Sequence, residues 1–164
     1  MIKVLFICHG NICRSPMAEY LFKYYVDKKG KSSSFLIDSM ATSREEIGNG
    51  VHYGTRKILD KFNIDYSKHR AMQVRKEDYD KYDFIIVMDR NNIYNLKRIF
   101  EDYDNKVHLF LEYAGMDRDI SDPWYTGDFD KTYSDITIGI KSFYKYLEDN
   151  GYLIWGECYV VKNT

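Results

Sequence analysis

Nine residues constrain this chain more than any others: Cys8-His9-Gly10-Asn11-Ile12-Cys13-Arg14-Ser15-Pro16. They follow a run from Ile2 to Ile7 that is apolar except for Lys3, and they lead directly into an amphipathic helical pattern. A buried strand, a tight loop and a helix start form an anion site, because unpaired backbone N–H groups and the positive end of the helix dipole face into the loop. Gly10 is expected to supply a positive φ. Ser15 is the expected N-cap, and Pro16 suits the first helical turn, where its missing N–H costs nothing.

Cys8 at the mouth of the loop makes it more than a cradle. A helix N-terminus or a nearby guanidinium favours the thiolate, so Cys8 is expected to be a nucleophile at neutral pH. Arg14, across the loop, carries a planar fork that matches two phosphate oxygens at once. A sulfur nucleophile, a ring of N–H donors and one Arg can attack phosphorus and stabilise the charge on its equatorial oxygens. A buried Cys before an ordinary strand-to-helix turn is the bland alternative, and Cys8 alone would not exclude it.

The remaining chain alternates strand and helix patterns. Phe35–Asp38, Phe84–Met88 and Val107–Leu111 read as further buried strands. Helical stripes run through Met17, Leu21 and Tyr25, through Thr55, Ile58, Leu59 and Phe62, and through Ile93, Leu96 and Phe100. A long one runs from Phe129 through Tyr133, Ile136, Ile140 and Phe143 to Leu147, with Asn150-Gly151 as its stop. Asp89 is expected to cap the third of these helices rather than to act in chemistry. Such alternation predicts an α/β fold with a parallel sheet covered on both faces, and a ligand site beyond the C-terminal ends of the strands. At 164 residues the chain fits one domain, 1–164, with 152–164 as a tail of undecided structure.

A net charge of −1 with intermixed signs points away from a nucleic-acid surface, and no stretch has the length of a membrane span. Three cysteines at irregular spacing argue against a disulfide framework, so cytoplasm is the expected compartment. The other histidines (His9, His52, His108) show no metal-ligand spacing. Cleavage of a phosphate ester also needs a proton for the leaving oxygen, and Asp122-Pro123-Trp124-Tyr125 is the best source, although Asp-Pro alone is ordinarily a turn.

The nine-residue string resembles the signature loop of the low-molecular-weight protein tyrosine phosphatases, and agreement extends over roughly residues 2 to 149. The resemblance implies a three-layer sandwich with a central four-stranded parallel sheet of order 2-1-3-4. It implies phosphotyrosine or aryl-phosphate hydrolysis by a monomer through a phosphocysteine, without metal or other cofactor, and with no nucleic-acid or membrane partner. Cys8, Arg14 and Asp122 match the catalytic set, and His9, Gly10, Asn11, Ile12, Cys13 and Arg14 the phosphate-binding loop. Asn11, Ser15, Ser39 and His69 match residues that hold that loop in shape, with Ser15 also donating to Cys8. Cys13 matches a redox partner that could form a reversible disulfide with the nucleophile.

Glu45, Asn49, Trp124 and Tyr125 match the pocket wall, with three departures from the family pattern. Glu45 stands where many members carry an aromatic residue, Trp124 replaces the first of two tyrosines, and Gly50-Val51-His52 replaces a Pro-rich turn. Two rival functions stay in view. An arsenate reductase of the same fold needs further cysteines near the third strand, and there is none between Cys13 and Cys158. A phosphotyrosine-binding module needs neither nucleophile nor acid, and this sequence has both.

Overall fold

The structure is a computed structural model that describes residues 1–153; the rest of the expected tail, with Cys158, lies outside the described residues. Four strands, β1 (Ile2–Cys8), β2 (Phe35–Ala41), β3 (Phe84–Val87) and β4 (Val107–Leu109), pair in parallel in the order β2-β1-β3-β4. This is the expected order. The second strand runs three residues beyond its expected end and the fourth stops two short, because Phe110–Ala114 turns into a 3₁₀ segment.

β1 is buried along almost its whole length because it is covered on both sides. Ile2, Val4, Phe6 and Cys8 point to one face, where they pack with α1 (Arg14–Lys28), α2 (Tyr53–Asp60) and the long C-terminal helix. Leu5 and Ile7 point to the other, against residues of α3 (Asp78–Lys81) and α4 (Arg90–Leu96) such as Tyr79 and Leu96. Alternation across a strand produces this division, and it explains why the run reads as continuously apolar. Two further helices complete the fold, α5 (Pro123–Thr126) and α6 (Phe129–Asp149). Among the described residues no helix is long and apolar enough to cross a membrane.

Phe6 is the centre of the larger core. Its ring meets Phe22 of α1 edge-on at 5.8 Å and the Phe110 ring at 5.2 Å, with no exposure. Phe6→Ala is expected to cost about 3–5 kcal/mol, read as a lowered midpoint in urea unfolding.

The loop after β1 differs from expectation in two places. Asn11, not Gly10, has the positive φ (59°); Asn is the non-glycine residue that enters this region most readily, since its short side chain can bond locally. α1 begins at Arg14 with Cys13 in the cap position and no side-chain cap. Ser15 is therefore inside the first turn, as is Pro16, and its hydroxyl is used elsewhere.

Candidate active site

Pairing of β1 with β2 and β3 brings Cys8 level with Ala41 and Ile7 level with Val87. All three strands thus end at one edge of the sheet, and the loops leaving that edge build the pocket. Cys8, His9, Gly10, Ile12, Cys13 and Arg14 line its floor and sides. Glu45, Glu46, Asp122, Trp124 and Tyr125 complete the wall.

Two donors converge on the Cys8 sulfur. The Asn11 N–H lies 3.3 Å from Sγ and the Ser15 hydroxyl 3.0 Å. The sense of the second bond follows from its neighbours. Asn11 Nδ2 donates to Ser15 Oγ (2.8 Å) and to Ser39 Oγ (2.9 Å), while Ser39 passes its own proton to Glu19 (2.6 Å). Ser15 therefore accepts from Asn11 and turns its hydrogen to the sulfur, an arrangement that suits negative charge there. Asn11 Oδ1 accepts from the Met72 N–H at 3.2 Å, and the Asn11 carbonyl accepts from His69 Nε2 at 2.8 Å, which fixes the proton on that nitrogen. The four support residues expected from the resemblance are thus brought together. Asn11 itself is fully buried behind the loop and does not line the pocket.

Arg14 is only 2% exposed. Its Nη1 donates to Asp89 Oδ2 at 2.6 Å and to the Ile120 carbonyl at 2.8 Å, and its Nη2 reaches Asp122 Oδ2 at 3.3 Å. Burial opposes the charge, but the facing Cys8, Asp89 and Asp122 outweigh it and hold the guanidinium above its ordinary pKa. Asp89 also caps α4 as expected, accepting from the Asn92 N–H at 2.8 Å. One carboxylate oxygen ends a helix and the other orients the arginine.

Asp122 is the N-cap of α5: Oδ1 accepts from the Trp124 N–H at 3.0 Å while Oδ2 faces Arg14. The expected loop is thus a single helical turn, closed by Gly127 at φ 70°. Sequence separations of 75 and 108 residues hide both carboxylate partners of Arg14 from any local reading.

Asn49 does not line the pocket. Its side chain donates to Glu46 and its backbone pairs with Ala71, so Glu46 takes the wall position instead. Glu45 stands at the rim with its side chain 69% exposed, 3.0 Å from His9 Nε2. Cys13 is a buried free thiol; burial, the facing Cys8 and Asp122 push its pKa far up, so it stays protonated. No group of three or more His, Cys, Asp or Glu among the described residues could hold a metal ion.

Comparison with known proteins decides the family. Residues 3–152 match the profile of the low molecular weight phosphotyrosine protein phosphatases. The chain belongs to this family. It is 42% identical over 135 residues to the low molecular weight protein-tyrosine-phosphatase YfkJ of Bacillus subtilis, covering 80% of this chain and 86% of that one. It is 40% identical over 152 residues to the low molecular weight phosphotyrosine protein phosphatase of Saccharomyces cerevisiae, covering 88% and 94%. The crystal structure of YfkJ superposes with a TM-score of 0.87 at 36% identity, over 92% of this phosphatase and 96% of that chain.

Proposed function

We propose that this phosphatase hydrolyses phosphotyrosine and related aryl phosphates in two steps at the Cys8 sulfur, with no metal. The reading rests on one arrangement: a sulfur that receives two hydrogen bonds on the floor of a loop, faced by a guanidinium that also touches Asp122. In the first step Sγ attacks phosphorus in line with the leaving phenol. The S–P bond forms, the P–O bond breaks, and Asp122 gives its proton to the departing oxygen. Arg14 and the loop N–H groups hold the equatorial oxygens. In the second step Asp122 takes a proton from water, the water oxygen attacks phosphorus, and the thiolate leaves.

Trp124, Tyr125 and Ile12 offer flat or apolar surface to an aryl ring. Cys13, protonated and beside Cys8 in the pocket wall, supplies the second sulfur for the reversible disulfide that the resemblance implies; a peroxide would take the two electrons and two protons of the thiols as it is reduced to water or alcohol, and the disulfide would take the nucleophile out of action. The deciding assay is hydrolysis of phenyl phosphate and phosphotyrosine peptides in buffer containing a chelator. Turnover that needs added metal would overturn the reading, and arsenate-dependent thiol oxidation would restore the reductase.

The rim bears on affinity. Glu45 places a negative charge near a dianionic substrate and also holds His9. Glu45→Gln is expected to lower KM for a small aryl phosphate about two- to threefold at low ionic strength, with kcat unchanged, and the difference should shrink in high salt. Steady-state kinetics at two salt concentrations measure it.

A further inference from the structure

α5, the turn that carries Asp122, is exposed and short. Trp124 is 57% exposed and Tyr125 82%, and four residues give little packing of their own. Its position is set from outside. On one side Asp122 meets Arg14, and just before it the Ile120 N–H donates to the Met88 carbonyl at 2.9 Å. On the other side the contact is His52.

His52 lies in one of the three departures from the family pattern, and its ring meets Trp124, another of them, edge-on at 5.7 Å and 74°. The same ring stacks on Phe129, the first residue of α6, at 5.1 Å and 13°. Phe129 in turn packs on Ile12, Cys13 and Ala71 beside the phosphate loop. Gly54 is what admits the Phe129 ring, since a Cβ there would come within 2.5 Å of it. The His52 backbone N–H donates to the Ile12 carbonyl at 2.8 Å, so one residue is tied to the phosphate loop by its main chain and to the acid turn by its ring. Nδ1 accepts from the Gly54 N–H at 3.0 Å, which caps α2 and fixes the ring plane. Burial, helped by Arg56 and opposed by Glu46, lowers the pKa of the ring and keeps that lone pair available.

We infer that His52 is a positioning residue for the general acid: its imidazole props Trp124, whose N–H holds Asp122, and so aligns the acid turn with the phosphate loop. The inference rests on the proposed phosphatase chemistry, in which Asp122 protonates the leaving group. It differs from a merely structural role in its dependence on the leaving group. A poor leaving group needs the proton, whereas 2,4-dinitrophenolate departs without one.

Two variants separate the two functions of the ring. His52→Asn keeps a cap acceptor and removes the ring; His52→Phe keeps a ring and removes the acceptor. His52→Asn should melt close to the unsubstituted protein yet lose about five- to twentyfold in kcat on phenyl phosphate, a modest share of the general-acid effect. Its kcat on 2,4-dinitrophenyl phosphate should stay within about twofold, since that step needs no proton. His52→Phe should melt lower while its ratio of the two rates stays near that of the unsubstituted protein. Equal losses on both esters in His52→Asn, or no loss on either, would overturn the inference. Hydrolysis of the dinitrophenyl ester by the unsubstituted protein tests the phosphatase reading separately. Trp124 fluorescence, read in a Trp155→Phe background, tests the contact without turnover. His52→Asn should shift its emission, and an unchanged spectrum would count against the contact.

Discussion

Replacement of Cys8 by Ser is expected to lower kcat on any phosphate ester by on the order of 10⁴-fold or more, with the fold intact. The substitution changes one atom. Serine Oγ is smaller and stays protonated at neutral pH, and the donors that suit a thiolate then meet a neutral hydroxyl. The neighbouring thiol cannot substitute, because burial and the facing Asp122 still hold Cys13 protonated. Arg14 and the loop backbone are untouched, so the variant should still bind inorganic phosphate or phenylphosphonate with an affinity close to that of the unsubstituted protein. Calorimetry beside a sensitive turnover assay checks both halves. A variant that retained even a few percent of the rate would remove sulfur from the mechanism.

The second large effect belongs to Asp122→Asn. Asparagine keeps an Oδ1 acceptor for the Trp124 N–H, so α5 should survive, but it turns an N–H donor toward Arg14 where Asp122 has an oxygen, and it has no acidic proton to give. Hydrolysis of phenyl phosphate should fall about 10²- to 10⁴-fold, and that of 2,4-dinitrophenyl phosphate far less. Oxyanion binding should hold or improve, because a phosphate dianion competes with the Asp122 carboxylate for Nη2 of Arg14. The plot of log kcat against leaving-group pKa is the measurement: it should be much steeper in the variant. Parallel plots would place the acid elsewhere.

Much of this was legible in the sequence because it is local. The strand, loop and helix of Cys8–Pro16 are contiguous, and a parallel sheet follows from strands that alternate with helices, whereas its order 2-1-3-4 came from the family resemblance. The misreadings have specific causes. Gly10 looked like the positive-φ residue on intrinsic preference, but the buried amide of Asn11 has three hydrogen-bonding partners, Ser15, Ser39 and Met72, that reward it for the left-handed conformation. Ser15 looked like a cap because serine usually is one, yet its hydroxyl serves the sulfur seven residues back. Glu19 drew no reading from the sequence; it is buried and accepts a hydrogen bond from the Ser39 hydroxyl. Ile120 and His52 carry no local signal of their roles, and Asp89 signals only its cap, since each acts at the site through a partner that only the tertiary fold supplies.

Glu19 has one more implication. A carboxylate gripped by Lys23 at 2.6 Å has nothing to donate, so it fixes the Ser39 hydroxyl as its own donor and as an acceptor for the Asn11 amide, whose other hydrogen goes to Ser15 and whose oxygen is held by the Met72 N–H. α1 thus meets the phosphate loop at its first residue, Arg14, and through Glu19 anchors the network behind that loop. An amide of the same size at position 19 can itself donate to Ser39 and so loosens that anchor, while the Asn11 amide still donates to Ser15.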